Sequence, residues 1–297
     1  MRERQWMTER RNRATENLDT MSAFEIVKIM NREDAAVPRA IRRVLPEIAK
    51  AVDLIAERLA KGGRLIYVGS GTSGRIGALD ASECQPTFGV SAETVQFVLA
   101  GGERALVRAA EASEDSPKLG RSDMAARRPG KRDVVVGIAA SGFTPYTIAA
   151  IEYAGSKGAA TIGIACNRGS ALGQAADIAI EVEVGPEVLT GSSRLKAGTA
   201  AKLICNMLTT GAMARLGYVY SNMMVSMHLK NRKVLERGIT ILESLTEIDR
   251  EHAAETLEQA DMSVALALVM LQTHVSKTQA ARRLRQARGN VRKAIEG

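Results

Sequence analysis

The sequence predicts an α/β fold: a parallel sheet with helices on both faces, followed by a C-terminal helical bundle. Two observations predict it. Between residues 64 and 184, five short apolar runs alternate with stretches of helical period, and runs apolar on both faces suit a parallel sheet covered twice. Beyond Ser192 no such run occurs, and the periodicity is helical. Composition agrees. Apolar residues make up 45% of the 297 but aromatics only 3%, so Ala, Val, Ile, Leu and Met must fill the core. An Ala-rich, Gly-rich interior suits close helix–sheet packing.

The elements follow in order. Ser22 and Glu25 in "SAFE" form a capping box, which predicts a short helix to about Met30. A longer helix is expected from about Asp34 to Lys61. Its apolar face is Ile41, Leu45, Ile48, Val52, Ile55 and Leu59, Pro46 is a candidate kink, and Gly62–Gly63 is the stop. "RLIYVGSGTSG" reads as strand, glycine–hydroxyl loop and helix, and "TVQFVLAGG" as a strand with a helix near Ala105–Ala112 after it. "DVVVGIAASGFTP" repeats the first pattern, with Thr144 as cap and Pro145 at the first helical position. "ATIGIACN" and "DIAIEVEV" are two more strands. Long helices are expected over 195–216 and 219–242, with three shorter ones after them.

Several classes of function are disfavoured. Lys and Arg exceed Asp and Glu by 41 to 33, a formal charge of +8, which suits an anionic ligand or nucleic acid. With almost no aromatic interleaving, a nucleic-acid stacking platform is not expected. The basic C-terminal "SKTQAARRLRQARGNVRKAIEG" reads as the solvated face of a helical bundle. Cys84, Cys166 and Cys205 are far apart, odd in number and without metal-ligand spacing, so neither a disulfide framework nor a zinc site is expected. Reduced thiols suit the cytoplasm. The charged start "MRERQWMTERRNRATENLD" lacks the apolar core of a signal peptide, and no stretch is apolar enough to span a bilayer.

Two loops carry the chemistry. "GSGTSG" (69–74) and "ASGFT" (140–144) each follow an apolar run and open a helix. Glycine lets the backbone approach an anion, the free N–H groups of a helix start point at it, and Ser and Thr hydroxyls add donors. A single capped turn is commonplace. Two of this chemistry at the carboxyl edge of one sheet point to a ligand site. Excess hydroxyls and the lack of a suitably spaced acidic residue exclude a dinucleotide fingerprint, and "GTSGR" lacks the Walker lysine. A small phosphate ester fits better. A third hydroxyl-rich turn, "GPEVLTGSSRLKAGTAAK", offers Thr190, Ser192 and Ser193, with Arg194 and Lys196 adding positive charge. Glu83 and Glu114 are the acidic candidates, and Glu111 and Asp115 compete with Glu114 on equal terms. His228, His252 and His274 show no partner pattern.

Three strings, "VGSGTSGRIGALDASECQPTF", "GFTPYTIAAIEYA" and "PEVLTGSSRLKAGTAAK", resemble the N-acetylmuramic acid 6-phosphate etherases of the sugar isomerase (SIS) superfamily. "TERRNRATENLDTMSAFEIVKIMNREDAAV" resembles that family's N-terminal signature, so the resemblance runs from about Thr8 to the C-terminus. Related glucokinase regulatory proteins share the glycine loop but not the glutamate after it. The resemblance places the catalytic acids on Glu83 and Glu114 and the phosphate-binding hydroxyls on Ser70, Thr72, Ser73, Ser141 and Thr144. It favours Glu83 as the acid and Glu114 as the base. The sequence departs from the family at Gln85, where proline is usual, and at Lys230 before Asn231, where threonine is usual; neither is a catalytic position, and the resemblance implies the reaction class but not the fine substrate selection.

The resemblance implies three regions: N-terminal helices packing on the core (1–63), an SIS sugar-phosphate-binding domain (64–220) and a C-terminal helical region (221–297). It implies cleavage of a D-lactyl ether at C3 of a 6-phosphorylated amino sugar, a reaction that needs no metal or cofactor; the residues themselves lead us to expect a cytoplasmic protein with no metal, nucleic-acid or membrane partner. If Ser73 to Glu83 is all helix, the carboxylate lies roughly 15 Å along the axis from the phosphate end. A C6 phosphate lies only about 6–7 Å from C3 of its own sugar. Either that helix breaks early, or Glu83 serves a neighbouring subunit's site. We expect a homodimer with composite sites. The competing readings are a non-catalytic SIS sugar-phosphate sensor and an aldose–ketose isomerase. A sensor would usually carry a separate domain of about eighty residues before the sheet. An isomerase would not need Glu83 at its position.

Overall fold

A computed structural model of the chain describes residues 6–108 and 111–297. The chain divides into two compact units, Met1–Ser82 with Glu93–Thr209, and Glu83–Ala92 with Thr210–Gly297. The first unit holds the sheet. Helices α1 (Ala23–Asp34), α2 (Ala36–Arg42) and α3 (Leu45–Ala60) precede strand β1 (Leu65–Gly69). Helix α4 (Gly71–Phe88), β2 (Val95–Leu99), α5 (Glu111–Glu114) and α6 (Pro117–Ala126) follow. Then come β3 (Val134–Ile138), α7 (Pro145–Ser156), β4 (Ala160–Ala165), α8 (Ala171–Ala175), β5 (Ile178–Glu181) and α9 (Lys196–Leu216).

The five strands form one parallel sheet in the order β2-β1-β3-β4-β5. Every residue of β1, β3 and β4 is buried, as expected of strands covered on both faces. The edge strands are less so, β5 most of all. On one face Ile66, Val68 and Val135 pack with Tyr146, Ala150, Ile151 and Ala154 of α7. The chain passes from β1 outward to β2 and then crosses to the other side of β1 for β3. The carboxyl ends of β1 and β3 therefore flank the point where strand order reverses, which is where open α/β sheets bind ligands.

The expected long first helix is three helices. Ala35 ends α1, and Arg43 and Val44 separate α2 from α3. Pro46 lies at the start of α3, where its missing N–H costs nothing, so it begins a helix rather than kinking one. The capping box at Ser22 and Glu25 is present. In place of the helix expected near Ala105–Ala112 stand a 3-10 turn (Glu103–Leu106) and the single turn of α5; Ala109 and Ala110 lie outside the described residues. Helix α4 runs unbroken from Gly71 to Phe88, which removes the early break. Gly89 ends it with a positive φ of 66°. A Cβ there would lie 2.0 Å from the carbonyl oxygen of Ser226, so only glycine fits.

The second unit is helical: α10 (Arg232–Thr246), α11 (Arg250–Gln259), α12 (Val264–Thr273), α13 (Lys277–Gln286) and α14 (Val291–Glu296). Leu242, Leu257, Val264, Leu268 and Val291 form its core. The helix expected over 219–242 starts only at Arg232, because Asn231 caps it by accepting from the Val234 N–H at 3.0 Å. Four short helices follow it rather than three. Among the described residues no helix is long and apolar enough to cross a membrane.

Candidate active site

Close packing of α4 on β1 fixes the first loop. A Cβ on Gly74 would lie 2.6 Å from the Gly69 carbonyl oxygen and 2.4 Å from Leu99 Cδ1. The glycines thus let the start of α4 sit directly against the sheet edge. The first turn of any helix has amides without intrahelical acceptors, and here that turn is Gly71, Thr72 and Ser73. They line a cavity of about 220 Å³ with Ser70, Ser141 and Ser193.

The same cavity takes Glu114 and Thr144. Thr144 stands at the cap position of α7, yet its hydroxyl does not cap that helix. It donates to Glu114 Oε1 at 3.2 Å. The cap hydroxyl is thus diverted to orient a carboxylate. Arg75, one turn into α4, holds the segment ahead of α5: its Nε donates to the carbonyls of Ala105 and Leu106, and its Nη2 to that of Arg108. Asp115, the neighbouring acidic candidate, is exposed and is not among the lining residues, and the side chain of Glu111 lies outside the described ones.

The N-terminal segment supplies residues that sequence reasoning missed. Thr8 and Glu9 also line the cavity. Asn167, at the end of β4, fixes them: its Nδ2 donates to Thr8 Oγ1 at 3.2 Å and to the Ser141 carbonyl at 2.9 Å, and its Oδ1 accepts from Met7 N–H at 2.8 Å. Trp6 stacks on Phe143 with ring centroids 3.9 Å apart. The third hydroxyl turn is arranged differently from the first two. The opening amides of α9, Lys196 and Ala197, donate to Glu187, so a carboxylate from the chain already occupies that helix start. Burial holds the Glu187 carboxyl above its ordinary range. Lys196 is buried and its Nζ pairs with Glu33 at 3.0 Å, so its charge is spent inside the protein. Thr190 and Arg194 are exposed and Ser192 half-buried, none of them lining the cavity.

Asp80, also in the α4 motif, is buried. It accepts from Tyr67 Oη at 2.8 Å, Asn206 Nδ2 at 2.8 Å and Thr209 Oγ1 at 3.3 Å. Burial raises its pKa above the ordinary value, with these bonds opposing. It is a structural anchor for α4.

Glu83 lies in the second unit and lines a different cavity, of about 310 Å³. His228, Lys230, Asn231 and Arg237 line it too, and so does Gln85. Both positions at which the sequence departs from the family pattern, Gln85 and Lys230, are therefore on its wall.

The sheet order and the two hydroxyl loops define an SIS-type α/β fold. The SIS domain matches residues 122–211, and the glucokinase regulatory protein N-terminal SIS domain matches residues 47–155. A candidate phosphosugar isomerase of Bacteroides fragilis has the same fold, with a TM-score of 0.52 at 20% identity over 68% of this chain and 95% of that one. The chain belongs to the N-acetylmuramic acid 6-phosphate etherase family. It is 51% identical to the Oenococcus oeni member over 97% of both chains. Against the Clostridium beijerinckii member it is 48% identical, and against that of Pasteurella multocida 50%, each over 97% of this chain and at least 95% of the relative.

Proposed function

We propose that this protein cleaves the D-lactyl ether of N-acetylmuramic acid 6-phosphate, giving N-acetylglucosamine 6-phosphate and D-lactate. One observation carries the reading: a carboxylate, Glu114, shares a single small cavity with two glycine–hydroxyl loops at the switch point of the sheet. The amides opening α4 and the hydroxyls of Ser70, Thr72, Ser73 and Ser141 suit a phosphate. Thr144 occupies one oxygen of Glu114. The other is the one assigned to the C2 proton, which the C1 aldehyde of the open-chain sugar acidifies. As that proton goes to Glu114, the C3–O bond breaks with its electron pair on the ether oxygen, and a general acid protonates the departing lactate. Water then adds at C3 of the resulting 2,3-enal, and a proton returns to C2. Two carboxylates suffice.

Glu83 is the proposed acid, and a homodimer explains how it serves. An unbroken α4 sets residues ten apart roughly 15 Å apart along the axis, too far for one sugar to bridge from the phosphate end. Leu79, one turn before Glu83 on the same side of α4, is half exposed and suits a subunit interface. Each site then takes Glu114 from one chain and Glu83 from the other. The reaction belongs to cytoplasmic recycling of cell-wall amino sugars. The test is D-lactate release from the phosphorylated ether. Absence of lactate, or equal turnover of the unphosphorylated ether, overturns the reading.

A further inference from the structure

The cavity around Glu83 has a chemistry that proton donation alone does not require. Beside the carboxylate stand Lys230 and Arg237, both exposed, with His228. Neither cation forms an ion pair among the described residues, although Glu236, the neighbour of Arg237, is paired with Arg250. The Arg237 guanidinium makes a weak contact, Nη1 to Met224 Sδ at 4.0 Å. Asn231, the cap of α10, and Val234 and Arg237 in its first turns all line the cavity. Met224, Met227 and Val234 give the wall an apolar part.

The leaving group has the matching chemistry. In a lactyl ether one carbon joins the ether oxygen to both a carboxylate and a methyl group. An acid in hydrogen-bond reach of that oxygen therefore has the substrate's carboxylate as its near neighbour. Once Glu83 has given its proton to the ether oxygen, two carboxylates face each other at that range and repel unless a cation lies between or beside them. The wall around Glu83 supplies two unneutralised cations for the carboxylate and thioether and valine surface for the methyl. We infer that Arg237, assisted by Lys230, is the specificity-determining reader of the leaving group's carboxylate, so that the protein selects 2-oxy-carboxylate ethers over neutral ones. The inference rests on the etherase reading and on Glu83 as its acid.

The experiment compares the lactyl ether with its lactamide analogue, both 6-phosphorylated, by kcat/KM for wild type, Arg237→Ala, Arg237→Lys and Lys230→Ala. Circular dichroism confirms the fold of each. Wild type prefers the carboxylate. Arg237→Ala loses on the order of 10²-fold of that preference, mostly through the carboxylate substrate, because truncating one partner of a charge pair leaves the other unpaired. Arg237→Lys retains part of it, and Lys230→Ala loses less than Arg237→Ala. D-Lactate inhibits wild type and ceases to inhibit Arg237→Ala. A preference unchanged in both alanine variants, with wild type releasing lactate, overturns this inference and leaves the etherase reading standing. A wild type that releases no lactate overturns both.

Discussion

Replacing Gly74 with alanine tests whether the packing of α4 on the sheet places the phosphate donors. The new Cβ would stand 2.6 Å from the Gly69 carbonyl oxygen, about 0.8 Å inside the 3.4 Å at which ordinary contact begins. It would also meet Leu99 Cδ1 at 2.4 Å. The leucine end can swing away, but the carbonyl belongs to β1 and is held by the sheet, since Ala100 N–H donates to it at 3.1 Å. The start of α4 must therefore move outward by most of an ångström and carry the amides of Gly71 to Ser73 with it. Overpacking of this size costs about 1–3 kcal/mol of stability. Misplacing bound groups by about 1 Å costs up to roughly 10²-fold in turnover efficiency. Gly130→Ala is the control, because a Cβ there meets nothing within 4 Å. The assay is thermal melting together with KM for the phosphorylated ether. A Gly74→Ala protein with wild-type melting temperature and wild-type KM would refute the argument that this contact sets the site.

Glu83→Gln and Glu114→Gln should fold normally and each lose about two to four decades of lactate release, as for one acid–base group; near-normal turnover in either removes that residue from the mechanism. Mixing the two inactive variants under proven subunit exchange should restore activity, because a heterodimer then holds one site with both glutamates, and a mixture that stays inactive rejects the shared site. Ser73→Ala and Ser141→Ala should raise KM more than they lower kcat; the opposite split would place them in the chemical step. Asp133 gives a pH prediction. Burial opposes its ionisation, but hydrogen bonds from Arg64 and the Gly130 amide outweigh this and hold its carboxyl below the ordinary 3.8. A depressed carboxyl stabilises the fold above that ordinary value, and the contribution disappears as pH falls through the folded value. Asp133→Asn should therefore cost about 1–3 kcal/mol at pH 7 and progressively less below about pH 3.8, read from urea midpoints. An equal penalty at pH 7 and pH 2 would show that the charge is not responsible.

What the sequence discloses follows from which signals are local. Strands buried on both faces are written as uninterrupted apolar runs, so β1, β3 and β4 are legible, and with them the loops at their carboxyl ends. Pro46 is ambiguous in sequence because the same residue kinks a helix or starts one, depending on a turn it does not itself encode. The span 217–231 carries enough apolar residues to pass for helix, and only the Asn231 cap marks where α10 begins. Site residues contributed over long range are the least legible. Asn167 joins Met7 and Thr8 to the second loop across about half the chain, and nothing near Thr8 or Glu9 signals a cavity. Glu187 likewise fills a helix start that reads, in sequence, as an open anion site. Glu114 stands apart from Asp115 only once Thr144 is seen to donate to it.

The claim that joins fold to function is cleavage of the C3–O bond by elimination and rehydration. It is tested most directly by mass spectrometry of both products after turnover in ¹⁸O-labelled heavy water. Elimination and rehydration should leave one solvent oxygen at C3 and one non-exchanging deuterium at C2 of the sugar phosphate, with the lactate hydroxyl oxygen unlabelled. Solvent oxygen in the lactate hydroxyl, or a C2 position that keeps its original hydrogen, would contradict it.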